Sequence, residues 1–311
     1  MKSLLVSAMA VLCCVVYAKD LKVLAIGNSF SVCVTRNLPQ IVASVPGNSL
    51  EITSAQIGGC SLEKHWNNIV SAEKDPAFTP YSVTVINSKD LKKNIAKCNV
   101  NTLLKKNKYD VITIQQNSLN SINYATYQPF GKNLIAYIKK HQPQAEIIIQ
   151  QTWSYRNDAA RLKRWKFDNT VMYNKLAKAY ADFAVDSGLR LIPSGYAVQI
   201  FRAETPVKFK AVPNSDLKNY KQPDVPGFEG SVVGKHLWRK HRETGEIYLT
   251  CDANHLNTHG EYMQAAVWFQ FLFEQPATSI KYIQPGMSAE QAKFLLNCAE
   301  KAVSTFKQPV K

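Results

Sequence analysis

Ser29 follows an apolar run, Leu21 to Ile26, that breaks at Gly27, and Asp252 stands three residues before His255, ahead of a long apolar helical pattern. A serine hydroxyl is a weak nucleophile. It needs a histidine to take its proton and a carboxylate to hold that imidazole in one tautomer. Ser29, His255 and Asp252 supply the three types, and side chains three apart on one turn project to the same side, so Asp252 could orient the ring that reaches Ser29. The carboxyl end of a strand, where Ser29 falls, is the edge at which α/β sheets place ligands. No G-x-S-x-G elbow is present, and a D-x-x-H pair alone is met by chance in many chains. It becomes informative beside a serine that ends the first strand. Cys60 and Cys251 adjoin these segments, but neither has a sequence-adjacent base, and small buried cysteines are common.

A second chemistry is open to the same segment. His255 and His259 have the i, i+4 spacing of two helical metal ligands, and Asp252 would add an oxygen ligand. The glutamate of H-E-x-x-H is missing and the Ser29 segment is then unexplained. The serine reading needs no metal or cofactor.

The elements that must position these residues alternate along the chain. The first strand is followed by a helix over 32–45, a strand over 50–55, and a turn at Ile57-Gly58-Gly59-Cys60 that opens another helix. A short extra strand is read at Tyr81 to Ile86. Val111-Ile112-Thr113-Ile114 is a continuous apolar run of the buried parallel type, ending in Gln115-Gln116-Asn117-Ser118. A helix near 127–140 leads to a strand at Glu146 to Ile149, closed by Thr152-Trp153-Ser154-Tyr155; a helix over 169–186 leads to a last strand at Leu189 to Ile192. Repeated strand–loop–helix units of this kind give an α/β fold. From Glu204 to Tyr248 the pattern dissolves into Pro, Asn, Lys and Gly, which reads as an irregular insertion, a lid over the site or a loop without a role.

Met1-Lys2, an apolar stretch from Leu4 to Tyr17 and the small residue Ala18 read as an export signal, residues 1–18, cleaved to leave one domain over 19–311 in a secreted or periplasmic protein. The stretch is shorter than the roughly 20 residues of a spanning helix, so a stable membrane span is not expected. Leucine precedes Cys13 where a lipid-attachment site would carry a small residue. The formal charge of +15 comes with no nucleic-acid motif; it describes a lysine-rich surface or one suited to an acidic partner. Beyond the signal, Cys33, Cys60, Cys98, Cys251 and Cys298 are odd in number, which excludes full internal pairing and argues against a disulfide framework.

Taken together, Gly27-Asn28-Ser29-Phe30-Ser31, Gly58-Gly59-Cys60-Ser61-Leu62 with His65-Trp66, Gln115 to Ser118, Thr152 to Tyr155, Pro193-Ser194-Gly195-Tyr196-Ala197 and Asp252 to Gly260 resemble, in order, the blocks of SGNH or GDSL-type hydrolases. The likeness is nearest to an exported bacterial branch of largely unassigned function. The resemblance implies a three-layer flavodoxin-like sandwich with a parallel sheet of about five strands. It implies Ser29 as nucleophile, His255 as base and Asp252 as its support, and an oxyanion hole from the Ser29 and Gly59 backbone N–H groups and a third-block amide. The usual Gly-x-Asn-Asp of that block is absent. Gln115 and Asn117 are the candidates, since side chains two apart on a strand share a face. Asn28 replaces the usual aspartate.

His65, Trp66, Trp153 and Tyr155 are candidate substrate contacts, since rings at a strand's carboxyl end suit a sugar face or an acyl group, although such rings are more often core or rim. Arg202 is read as a carboxylate binder or a surface ion pair. The function expected is ester hydrolysis through an acyl-serine, on a small-molecule or glycan ester, foremost acetylated glycans, with the basic surface suited to an acidic one; lipases and thioesterases share the same machinery. The alternatives are the metal-dependent hydrolase above and a non-catalytic glycan-binding module on the same scaffold.

Overall fold

The computed structural model describes residues 18–309. The segment read as an export signal therefore lies outside the described residues except for Ala18. Among them no helix is long and apolar enough to cross a membrane.

Among the described residues nine strands form: β1 (Asp20–Gly27), β2 (Ser49–Gln56), β3 (Tyr81–Asn87), β4 (Lys93–Cys98), β5 (Val111–Ile114), β6 (Glu146–Gln150), β7 (Arg190–Ile192), β8 (Val233–Lys240) and β9 (Ile247–Leu256). The main sheet has seven strands in the order β4-β3-β2-β1-β5-β6-β7. Its five strands from β2 to β7 run parallel, as expected, and β3 and β4 extend one side antiparallel. Val23-Leu24-Ala25-Ile26 and Val111 to Ile114 are buried on both faces, which is why their apolar runs are unbroken. β4 was not expected. Its Lys93-Asn94-Ile95-Ala96-Lys97 is exposed throughout, and lysines on an outermost strand blunt pairing with another chain.

The α-helices of the described residues are α1 (Ser29–Thr35), α2 (Leu38–Ala43), α3 (Leu62–Lys74), α4 (Val100–Lys106), α5 (Phe130–His141), α6 (Ala160–Trp165), α7 (Asn169–Ser187), α8 (Ser194–Glu204), α9 (Thr258–Phe273) and α10 (Ala289–Thr305). The single helix expected over 32–45 is two, because Pro39 lies in the first turn of α2; a proline there has no N–H to continue the preceding helix. α9 is apolar around its whole circumference and almost wholly buried, as a helix without a polar face must be.

The segment 204–248 is not irregular throughout. β8 pairs antiparallel with β9 as a separate two-stranded sheet, and β9 carries Asp252 and His255. The pairing Val233 with Leu256 and Lys235 with Asp252 leaves Gly234 alone opposite Ala253, Asn254 and His255. β9 is therefore bulged where the two candidate catalytic side chains sit.

Candidate active site

β1 ends at Gly27, and α1 begins at Ser29 with Asn28 as its N-cap; the Asn28 side chain accepts a hydrogen bond from the Phe30 N–H at 3.0 Å. The same amide donates to the Cys60 carbonyl at 3.0 Å, joining the serine loop to the glycine turn. Gln115 supports this from below. Its Nε2 donates to Asn28 Oδ1 at 2.6 Å, and its Oε1 accepts from the Ser31 hydroxyl at 2.8 Å. Ser31 also lies 2.9 Å from Gln150 Oε1 at the end of β6. This buried polar web holds the nucleophile segment across three strand ends, and a network so placed fixes one geometry only if its members find partners.

The bulge of β9 brings the other two residues together. His255 Nε2 lies 2.8 Å from Ser29 Oγ, and His255 Nδ1 lies 2.8 Å from Asp252 Oδ2. The second Asp252 oxygen accepts from the backbone N–H groups of Asn254 and His255, at 3.0 and 3.2 Å. Burial alone would raise this carboxyl, but the hydrogen bond and charge of His255 and the two backbone donors outweigh it and hold it well below the usual carboxylate range. Asp252 is therefore an anion at neutral pH.

Gly234 is what permits the bulge to lie so close. Its φ of +96° is in the left-handed region, and a Cβ there would stand 2.5 Å from Arg156 Nη1. Arg156 is itself buried, ion-paired through Nε and Nη2 to Asp158 at 2.7 and 2.8 Å, and its backbone N–H donates to the Ala253 carbonyl at 2.9 Å. Sequence reasoning missed Arg156, Asp158 and Gly234. The adjacency of Arg156 and Asp158 was the available signal.

On the other side of Ser29, Ile57 to Cys60 makes a turn closed by the Cys60 N–H on the Ile57 carbonyl at 3.1 Å. Gly59 sits at its corner with φ of +64°, and nothing lies within 4 Å of where its Cβ would be, so the turn opens onto free space. Asn117 reaches it, with Nδ2 donating to the Gly59 carbonyl at 3.0 Å. The two expected amides thus part company. Asn117 stands beside Gly59, while both ends of the Gln115 amide are engaged beneath the serine loop.

Three of the four candidate substrate contacts are placed in the interior. His65 is buried against the Tyr81 hydroxyl at 2.8 Å, and burial, with the Lys64 charge adding, pushes it down to about 3. Trp153 is fully buried and Tyr155 nearly so, the latter bonded to the Ser118 hydroxyl at 2.7 Å. These rings bridge layers of the core, which is why their apolar bodies are covered. Trp66 is half-buried and meets Tyr137 edge-on. Arg202 makes no surface ion pair. It donates to the Ser154 hydroxyl and to the Ser154 and Tyr155 carbonyls at 2.6 to 3.0 Å, and burial pushes it down to about 10.

The helical spacing required for His255 and His259 to share a metal is not realised. Asn257 caps α9, so His255 lies on the strand before the helix and His259 on its first turn, edge-on to Phe228. Among the described residues no group of three or more His, Cys, Asp and Glu side chains is placed to hold a metal ion. Among the described residues all five cysteines are unpaired; Cys33, Cys60 and Cys298 are buried.

These observations define an α/β protein with a largely parallel sheet whose first strand delivers a serine to a histidine–aspartate pair. The chain belongs to the DUF4886 family, a domain of unknown function, whose model matches residues 22–211. That span contains Ser29, Gly59 and Asn117 and ends before the β8–β9 hairpin. The chain is similar to a DUF4886 family protein from Bacteroides uniformis known from a crystal structure, at 26% identity and a TM-score of 0.73, over 92% of this chain and 96% of that one. A looser likeness is to an acetyl-xylooligosaccharide esterase from Geobacillus stearmophilus, at 10% identity and a TM-score of 0.37, over 69% of this chain and 90% of that one. Likeness at that level says nothing of this chain's substrate. No curated protein matches the chain.

Proposed function

We propose that this protein is a serine ester hydrolase that works through an acyl-serine intermediate. The observation that carries the reading is the unbroken relay Ser29 Oγ, His255 Nε2, His255 Nδ1, Asp252 Oδ2, each hydrogen bond 2.8 Å long. Anionic Asp252 holds the ring with its proton on Nδ1, leaving Nε2 free to take the serine proton. Ser29 Oγ attacks the ester carbonyl, and the charge that develops on oxygen meets the N–H groups of Ser29 and Gly59 and the Asn117 amide. His255 then gives its proton to the departing alcohol, and water repeats the sequence to free the acid.

Within this class a carbohydrate esterase, removing acetyl groups from glycans, suits the open ground over Gly59 and an N-terminal segment that reads as an export signal. The test is release of p-nitrophenol from p-nitrophenyl acetate by the parent, Ser29→Ala, His255→Ala and Asp252→Asn. Asp252→Asn should lower kcat by about 10,000-fold, since an asparagine favours the wrong tautomer. Equal rates in all four proteins would remove the assignment.

A further inference from the structure

Along the strand that carries Asp252 and His255 lies a cleft of about 680 Å³, walled by residues of α6, by Ala211, Val212, Pro213 and Leu217, and by Leu249, Thr250, Cys251, Ala253 and Asn254 of β9. That volume is in the range of small-molecule sites. Its floor is the strand that holds the catalytic pair: Cys251, Ala253 and Asn254 flank Asp252, and the backbone carbonyl of Asn254 is held by the Trp153 indole at 3.0 Å. One wall is cationic. Arg161, Lys163 and Arg164 all line it, and none is in a salt bridge with a described carboxylate, the ion pairs involving other residues. The acidic residue among the lining, Asp158, is neutralised by Arg156, which holds both its oxygens.

The cationic wall is tied to the site through aromatic rings. The Arg161 guanidinium lies 5.7 Å from the centre of the Trp165 ring, which stacks at 6.4 Å on Tyr155. Tyr155 in turn hydrogen-bonds the Ser118 hydroxyl at 2.7 Å, next to Asn117. Three uncompensated cations lining one cleft raise the local concentration of anions there. Ala211-Val212-Pro213 and Leu217, also in the lining, add apolar surface of the kind on which a sugar ring can lie.

We propose that this cleft is an anionic-sugar subsite, and that the ester substrate is an acidic oligosaccharide whose charged residue sits against Arg161, Lys163 and Arg164 while its acyl group reaches Ser29. This rests on the hydrolase reading for the acyl end only. Carboxylate-bearing and sulfate-bearing sugars share the required chemistry.

The test measures binding without turnover. Ser29→Ala protein is titrated calorimetrically, at low salt, with a uronic acid tetrasaccharide, a sulfated tetrasaccharide and a neutral one, then again after Arg161→Glu, Lys163→Glu and Arg164→Glu together. The charge reversals should weaken the anionic ligand at least tenfold, and the neutral sugar should bind more weakly than either anion to the unreversed protein. Which anion binds tighter identifies the carboxylate or the sulfate as the ligand. The pair Lys163→Glu and Arg164→Glu, both exposed, repeats the test without disturbing the ring stack at Trp165. Lys139→Glu with Lys140→Glu, exposed at the end of α5, is the control. An equal loss there, equal binding of the neutral sugar, or tighter binding of single-stranded DNA that the same reversals weaken would overturn the subsite. Turnover of p-nitrophenyl acetate by the parent without selective anion binding removes the subsite alone, and selective binding without turnover of any ester removes the hydrolase reading alone.

Discussion

The Trp153 indole N–H donates to the backbone carbonyl of Asn254, the residue between Ala253 and His255, at 3.0 Å. Its ring stacks on Phe30 at 4.3 Å and 19°. One buried side chain therefore touches both Phe30, the residue after Ser29, and the bulge that carries His255.

Trp153→Phe keeps a ring on Phe30 and deletes the donor. The orphaned carbonyl should cost about 1–3 kcal/mol in urea unfolding. If the tether positions His255, kcat on p-nitrophenyl acetate should fall roughly tenfold, a barrier increase of about 1.4 kcal/mol, with KM nearly constant. A loss of stability with kcat intact would make the tether structural only.

Asn117→Ala should lower kcat by roughly 100- to 1,000-fold, the usual effect of removing one oxyanion donor, and leave the melting temperature within a few degrees. Gln115→Ala should act differently. It breaks two buried hydrogen bonds under the serine loop, so it should lower stability as well as rate. Equal effects on both readouts from the two variants would erase the distinction drawn between these amides.

Glu261, buried at the start of α9, accepts from Arg36 on both oxygens at 2.8 Å and lies 3.8 Å from Lys235. Arg36 follows the nucleophile helix, and Lys235 follows Gly234. Glu261→Gln should cost about 1.5–3 kcal/mol, the range of hydrogen bonds to charged groups; the exposed half of Arg36 keeps the figure toward the lower end. Guanidinium unfolding is unsuitable because it screens charge; urea unfolding gives the number, and a change below about 0.5 kcal/mol, within the usual range for surface substitutions, would show the cluster to be idle.

His65 makes stability depend on pH. It titrates near 6.5 when exposed and is pushed down to about 3 in the fold, by burial first and the Lys64 charge second. Between those values the unfolded chain binds a proton that the folded chain does not. Stability is therefore full above about 6.5 and lost as pH falls, by about 1.4 kcal/mol per pH unit. His141, His236 and His259 are lowered too, chiefly by burial, and act in the same sense, Glu261, raised by burial, opposes them above the unfolded glutamate value, and the lowered Asp252 acts only below the unfolded carboxylate value of about 3.9. His65→Gln should flatten the slope measured between pH 4.5 and 6.5. An unchanged slope would show that His65 is protonated in the fold.

What was legible in the sequence follows from burial. Val23 to Ile26, Val111 to Ile114 and Ile147 to Ile149 lie inside the sheet, so their apolar runs declare strands. The hairpin did not declare itself because β8 reads Val-Gly-Lys-His-Leu-Trp-Arg-Lys, polar and interrupted by the glycine its bulge requires. The relation between Gln115 and Asn117 was misjudged for a similar reason. Alternation places them on one face only if the strand continues, but β5 stops at Ile114, and the chain then turns each amide its own way. Asp252 and His255 were recognised by type, yet they meet through a bulge and not a helical turn, and no residue period encodes that.

Asp252 and His255, the proposed catalytic pair, ride on a two-stranded ribbon that shares no backbone ladder with the main sheet. Such ribbons are weakly self-supporting, and opening of local segments needs less free energy than global unfolding. Heating should therefore silence the proposed esterase activity at a temperature where circular dichroism still records an intact sheet, and cooling should restore it, so that loss of activity is a thermometer of the ribbon and not of the fold.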